Sequence, residues 1–287
     1  MKAAVKAIKF FERFSNTGIR GRITEKFFSG LLKLIHPRAK LVDENLKIAY
    51  PDSNEKWRSE IRKKVYENLA WTLTETLVMQ RDHKQVFNWV KKVHGLEIVN
   101  DLLDRKKGAI FLTAHFNNWE LLGSFTAQNA INHGGKLHVL YTPMHDKDIN
   151  NYVLDMRTRG GMFMIEKDTS VMRLVRMLKN GAHVAALNDV SGTGKMIAPF
   201  LGRDATNMSG VAVMSMLSGV PVIPACSYRI APFEHEVEFS EPVIMPDSSL
   251  NHEERLKLSV IACNNALEKF IRKRPDLWFW LHNRWRD

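Results

Sequence analysis

His115 and Glu120, in the stretch His115-Phe-Asn-Asn-Trp-Glu120, are the residues of this chain whose types and spacing could do proton chemistry. An apolar run, Ala109-Ile-Phe-Leu-Thr-Ala114, precedes them, and an amphipathic one, Leu121-Leu-Gly-Ser-Phe-Thr-Ala127, follows. That order predicts a buried strand, a sharp turn and a helix. On one continuous helix, residues five positions apart lie about 140° out of phase. The histidine and the carboxylate can meet only if His115 sits in the turn and Glu120 in the helix's first turn. Asn117 or Asn118 can serve as the N-cap, which places Glu120 at N2 or N3. A histidine held by a carboxylate at the C-terminal end of a strand can act as a general base. The same residues also fit an ordinary helix start, in which Asn117 and Glu120 form a capping box and His115 is a bystander.

The elements that must position this pair follow from the periodicity of the chain. Asn54 to Met79 reads as a long helix, with 81–92 continuing or following it. From residue 107 onward strand and helix patterns alternate. Strands are expected at 109–114, 137–142, 162–166, 183–187, 195–200, 220–229 and 235–244. Helices are expected at 118–131, 146–159, 168–179, 207–217 and 251–273. Such alternation implies an α/β fold, a central mixed or parallel sheet flanked by helices. Active sites on these sheets lie beyond the carboxyl ends of strands. His115 falls there for the first of these strands, and Asn188-Asp189 for the fourth. No linker, repeat or low-complexity tract separates a second domain, so residues 36–287 read as one α/β domain behind an extension, residues 1–35.

That extension interleaves Lys2, Lys6, Lys9, Arg13, Arg20, Arg22, Lys26 and Lys33 with Val5, Ile8, Phe10, Phe11, Phe14, Ile23, Phe27, Phe28, Leu31, Leu32 and Ile35. Apolar residues at helical spacing with basic residues between them suit an interfacial helix on anionic lipid, or an amphipathic helix packed on its own domain. Ser15-Asn-Thr-Gly18 should break it. No stretch reaches the roughly 18–20 apolar residues that cross a bilayer. The net charge of +11 calls for an anionic partner. Nucleic acid is not expected, because no zinc-finger spacing or aromatic RNA-binding pattern accompanies the charge. Cys226 and Cys263 have no metal-like spacing and read as buried free thiols. No metal is expected, since the remaining histidines are scattered. Gly192-Thr-Gly194-Lys195 lacks P-loop spacing and reads as a loop beside the site. Trp278, Trp280 and Trp285 read as packing, and Trp285 with Arg286 also fits a place near a lipid interface.

The motif resembles the His-x4-Asp/Glu signature of the lysophospholipid acyltransferase-like superfamily. "HFNNWE" is most similar to the "HFGNWE" form of the late, lauroyl/myristoyl-type bacterial lipid A biosynthesis acyltransferases. The likeness continues in order along residues 38 to 287. Arg38 with Asn45-Leu46 and Tyr50-Pro51 resembles that family's "R…NL…FP". Tyr141-Thr-Pro143 and Arg157-Thr-Arg159-Gly160 resemble "YRP" and "R…G". Asn188-Asp189, Pro199-Phe200-Leu-Gly202 and Ala205-Thr206 to Gly210 resemble "DQ…PFFG…A.T..G". Gly219-Val-Pro221-Val-Ile-Pro224 with Arg229 resembles "G.PV.P….R", and Trp278-Phe-Trp280-Leu-His282-Asn-Arg284-Trp285 resembles "W.W.H.RW". Two positions depart: the family's "DQ" reads Asp189-Val190, and its "YRP" arginine is Thr142.

The resemblance implies an O-acyltransferase. A fatty acyl chain would pass from a thioester on acyl carrier protein, or on coenzyme A, to a hydroxyl of a phosphorylated glucosamine lipid. His115 would take the hydroxyl proton while Glu120 fixed its tautomer and stabilised the imidazolium. The thioester is already activated, so neither a protein nucleophile nor a cofactor is needed. Asn118, Arg157, Arg159, Asp189 and Arg229 are the candidate substrate-binding residues, the arginines because a guanidinium grips phosphate or carboxylate with two bonds. Each of the three arginines also fits a surface salt bridge, which suits Arg157 and not Arg229, and Asp189 also fits a turn cap at a strand end. Acyl carrier protein, an anionic glycolipid acceptor and a membrane surface are the expected partners. The cytoplasmic face of a bacterial inner membrane, with peripheral or monotopic attachment, is the expected location. A same-fold enzyme acting on another glycolipid or phospholipid, and a non-catalytic lipid- or carrier-binding protein, are the rival readings.

Overall fold

A computed structural model describes residues 3–192 and 196–285, so Thr193-Gly194-Lys195 of the glycine-bearing loop and Arg286 lie outside the described residues. The chain begins with helices α1 (Ala3–Phe14), α2 (Ile19–Ile35), α3 (Ala39–Ala49) and α4 (Glu55–Met79). A short helix, α5 (Gln85–Trp89), is followed by β1 (Val90–His94), α6 (Leu96–Asp104), β2 (Ala109–Thr113), α7 (Trp119–Asn132) and β3 (Leu137–Tyr141). Then come α8 (Lys147–Arg159), β4 (Met162–Glu166), α9 (Val171–Lys179) and β5 (His183–Leu187). A separate hairpin, β6 (Ile197–Phe200) and β7 (Arg203–Thr206), leads into α10 (Gly210–Ser218), β8 (Val222–Ala231), β9 (Glu234–Phe239) and α11 (His252–Lys273).

Seven strands form one mixed sheet in the order β1-β9-β8-β2-β5-β3-β4, with β8/β9 its antiparallel pair and the other neighbours parallel. The α/β class read from the sequence is the one observed. β2 is buried along its whole length, as expected of a central parallel strand covered on both faces. Successive side chains alternate across the sheet. Ile110, Leu112 and Ala114 enter a core with Val184, Ala186, Val211 and Met214, under α9, α10 and α11. Ala109 and Phe111 enter a second core with Leu121, Leu122, Phe125 and Ala185, under α7. The helix expected over 81–92 stops at Trp89, and Val90–His94 forms β1, paired with β9. Lys91 and Lys92 sit side by side and hide the strand's alternation, while lysines suit a sheet edge.

Residues 3–35 of the extension do not project from this body. The chain breaks between Phe14 and Ile19 as expected, and α2 lies along α4 with Gly21, Thr24, Glu25 and Ser29 buried. A Cβ at Gly21 would fall 2.1 Å from Asn16 O, so glycine is required for that approach. The outer side of α1 and α2 is apolar: Phe10, Ile19, Ile23, Phe27, Leu31, Leu34 and Ile35 are exposed, Leu34 to 81%. Among the described residues no helix is long and apolar enough to cross a membrane.

Candidate active site

β2 ends at Thr113, and the turn His115-Phe-Asn-Asn leads into α7. Asn117 adopts φ 51°, a left-handed value that asparagine tolerates better than most residues. Asn118 caps α7, its Oδ1 accepting from Leu121 N at 3.0 Å. The turn is braced by residues near 278. Asn117 N donates to Leu277 O (2.7 Å), Phe279 N donates to His115 O (2.9 Å), and Phe116 bridges Trp278. Asn45 Nδ2 reaches Trp280 O and His282 O, and Arg38 Nη1 reaches Leu281 O, so the first and last motif blocks hold one another.

The imidazole's carboxylate partner is Asp189, not Glu120. β2 and β5 are parallel and in register, Thr113 beside Leu187, which carries Asp189 alongside His115. Asp189 Oδ1 accepts from His115 Nδ1 at 2.9 Å. Asp189 Oδ2 accepts from His115 N at 2.9 Å and Trp278 Nε1 at 2.8 Å. A carboxylate only accepts, so the proton sits on Nδ1 and leaves Nε2 with its lone pair. That Nε2 makes no hydrogen bond with the described residues, and His115 lines a cavity. Burial works against a charged imidazole, but Asp189's charge and hydrogen bond, then Glu120's charge, outweigh it and raise the His115 pKa above 6.5. Burial likewise raises the Asp189 carboxyl, and His115 with the Trp278 indole brings it below its ordinary value.

Glu120 turns the other way because it is the second residue of α7 and faces α8. Arg157 grips it: Nε lies 3.0 Å from Oε2 and Nη2 2.6 Å from Oε1, while Trp119 Nε1 donates to Oε1 at 3.0 Å. Glu120 and Arg157 both line the cavity beside His115. The Trp119 ring stands edge-on to the imidazole, centroids 5.2 Å apart.

Asn118, Arg159 and Arg229 are not brought to the cavity lining. Arg159 donates to Gln80 and pairs with Asp155. Arg229 is a buried ion-pair partner. Its Nε and Nη2 lie 2.8 and 2.7 Å from the two oxygens of Glu75, a residue of α4 with no solvent exposure. A carboxylate buried so deeply needs a cation, and arginine satisfies both oxygens at once. Glu75 also accepts from Asn118 Nδ2 (3.0 Å) and His235 Nε2 (3.0 Å), and His235 Nδ1 accepts from Asn117 Nδ2 at 3.1 Å. Burial pushes the Glu75 carboxyl up, and Arg229 and His235 override it, holding it well below its ordinary range. Sequence reasoning missed this hub. Its one signal was a lone acid among the apolar positions Trp71, Leu73, Leu77 and Val78 of a helix.

The cavity holds about 580 Å³, within the range of small-ligand pockets. Under α7 its wall is apolar, formed by Phe111, Leu122, Leu137, Val139, Met162 and Ala225. Gly123 of α7 opens this wall, since a Cβ there would fall 2.8 Å from Met162 Sδ.

The family described as bacterial lipid A biosynthesis acyltransferase matches residues 16–287. Over 259 residues the chain is 22% identical to the lipid A biosynthesis lauroyltransferase of Escherichia coli (strain K12), covering 89% of this chain and 81% of that protein. Over 260 residues it is 24% identical to the lipid A biosynthesis palmitoleoyltransferase of the same organism, and equally to a lipid A biosynthesis acyltransferase of Shigella flexneri, with 87% of this chain and 79% of each relative covered.

Proposed function

Because the chain belongs to the bacterial lipid A biosynthesis acyltransferase family and is an acyltransferase, we propose that it moves a fatty acyl chain from a thioester to a hydroxyl of a phosphorylated glucosamine lipid. The observation that carries this reading is the free Nε2 of His115, whose ring is held by Asp189 in the lining of a cavity with one apolar wall. The acyl chain lies under α7, against Phe111, Leu122 and Met162, which puts its thioester carbonyl beside the imidazole. Nε2 takes the acceptor hydroxyl's proton as the oxygen attacks that carbonyl. Asp189 holds the tautomer that leaves Nε2 basic, the role a carboxylate plays in a Ser-His-Asp triad. As the imidazolium forms, Glu120 adds a second negative charge nearby, while Arg157 fixes that carboxylate and presents a guanidinium to the cavity. When the tetrahedral intermediate collapses, the proton passes to the departing thiolate. Acyl carrier protein or coenzyme A supplies the thioester, and no further cofactor takes part.

The apolar outer side of α1 and α2, with Arg20, Arg22, Lys26 and Lys33 around it, seats the protein on anionic lipid from one side. We place it at the cytoplasmic face of a bacterial inner membrane as a peripheral or monotopic enzyme. α1 abuts α8 through Glu12 and Tyr152 Oη, 3.0 Å apart, so the lipid-facing helix and the helix bearing Arg157 are neighbours.

The test is direct. Purified protein is given an acyl thioester of carrier protein or of coenzyme A and a bis-phosphorylated glucosamine lipid, and products are read by mass spectrometry. The expected product carries one additional acyl group, and His115→Ala forms at least about a hundredfold less of it. No acylated glucosamine lipid from the wild type, or full activity in a folded His115→Ala protein, overturns the reading.

A further inference from the structure

The cavity's lining continues on the sheet face away from α7, where the acyl-transfer reading assigns no contact. α10 begins there, and Met208, Ser209, Gly210 and Val211 line the cavity. Ser209, the N-cap, gives no side-chain hydrogen bond to the first turn. The first intrahelical donor is Val213 N, to Ser209 O at 2.9 Å. The N–H groups of Gly210, Val211 and Ala212 precede it and meet no acceptor among the described residues. A Cβ added to Gly210 would find nothing within 4 Å. A helix N-terminus with free amides and open space before it favours an anion.

Asn188 gives an independent sign at the same place. Val184 and Ala186 of β5 point into the core under α10, so alternation carries Asn188 to that face, while Asp189 reaches His115. Asn188 is 4% exposed and lines the cavity. Its backbone N–H bonds Thr113 O at 2.9 Å, but its carboxamide makes no hydrogen bond with the described residues. A buried amide without a protein partner is uncommon, and facing a cavity it suits a ligand oxygen. Lys167, just beyond β4, brings a cation to the same lining.

We infer that the N-terminus of α10, Asn188 and Lys167 form a phosphate-binding subsite of this cavity. The amides of Gly210 to Ala212 and the Asn188 Nδ2 donate to phosphate oxygens, and Lys167 balances the charge. The inference rests on the acyl-transfer reading, which offers two sources of phosphate: the phosphopantetheine arm of the donor and the sugar phosphate of the acceptor. Asn188 precedes Asp189 directly, so a phosphate held there fixes one substrate beside His115.

Gly210→Asp tests the subsite. It places a carboxylate in open space in the first turn of α10, where it stabilises the helix and repels a phosphate. Gly210→Ala is the uncharged control. Binding of 4′-phosphopantetheine against pantetheine, and of glucosamine 1-phosphate against glucosamine, is measured by titration calorimetry or ligand-observed NMR, with Tm recorded for each variant. In the wild type and Gly210→Ala, one phosphorylated probe binds about tenfold or more tighter than its unphosphorylated counterpart. That gap closes in Gly210→Asp at unchanged or higher Tm, and narrows in the exposed change Lys167→Gln. A gap in the pantetheine pair assigns the subsite to the donor, and one in the sugar pair assigns it to the acceptor. No gap in either pair for the wild type, or a gap that survives Gly210→Asp, overturns the inference. Acyl transfer is not part of the readout. A phosphate-dependent gap without acyl transfer leaves the subsite standing and removes the proposed reaction, and transfer without a gap does the reverse.

Discussion

Asp189→Asn isolates the carboxylate that governs His115. Asp189 Oδ2 accepts from two donors that cannot reverse, His115 N and Trp278 Nε1, while Oδ1 meets only His115 Nδ1. An asparagine therefore keeps its oxygen at the Oδ2 position and turns its NH2 toward Nδ1. The imidazole can accept that bond only by moving its proton to Nε2, the nitrogen proposed to take the substrate's proton. All three hydrogen bonds keep a partner but lose their charge assistance, offset in part by removal of a buried charge, so the stability cost is about 1 kcal/mol. The rate should fall by about 10² to 10⁴, which is roughly 3 to 5 kcal/mol of barrier. Single-turnover acyl transfer and Tm separate the two effects, and ¹⁵N chemical shifts of the imidazole report the tautomer. The raised His115 pKa adds a pH signature. The base must be neutral, so wild-type activity is lost as pH falls through a value above 6.5. Without the Asp189 charge the acid limb of any residual activity moves to lower pH. A kcat within about threefold of wild type at equal Tm, with the proton still on Nδ1, would refute this reasoning.

Glu75→Gln strands the buried Arg229 and should cost about 3–5 kcal/mol in urea unfolding. Glu75's depressed pKa stabilises the fold above 4.5 and is lost as pH falls below it, so the variant should also flatten that acid limb of the stability curve. Arg229→Lys should lower Tm and leave the acceptor KM unchanged; a raised KM at constant Tm would restore Arg229 as a ligand-binding residue. Gly123→Ala should keep or raise Tm, because alanine favours the helix and the flexible Met162 can yield, while the longest acyl thioester accepted in competition assays becomes shorter. Replacing Ile19, Ile23, Phe27 and Leu34 by serine should release the protein from anionic vesicles without unfolding it, and salt should weaken wild-type binding; unchanged co-flotation of the variant would dismiss this surface as the anchor.

Local pattern carried much of the fold. The apolar run expected to form a strand over 109–114 is β2, and the amphipathic run after it is α7, started by Asn118. Hydrophobic period and cap chemistry are contained in a few consecutive residues. The pairing of His115 with Asp189 is not, because it exists only once strands 74 residues apart lie in register. Glu120 was the carboxylate near in sequence, and Asp189 is the one near in space. Arg229 shows a similar limit: its place at the end of an apolar strand was legible, but nothing nearby announced that α4 presents Glu75 to it. The hairpin β6/β7 was legible in part, because the strand expected at 195–200 contains β6, while the equally short Arg203–Thr206 is too polar to read as one.

The bracing of the His115 turn by Leu277 to Phe279, followed directly by Trp280 to His282, whose carbonyls Arg38 and Asn45 hold, also bears on how the protein matures. During synthesis the turn emerges from the ribosome long before the segment that clamps it and before the indole that helps fix Asp189. Until residues 275–285 have been released and docked, the turn lacks its bonds to Leu277 and Phe279, and Asp189 lacks the Trp278 indole. A nascent or C-terminally clipped chain therefore bears the complete motif on an unbraced turn, with the histidine proposed as base short of the support it has in the finished fold.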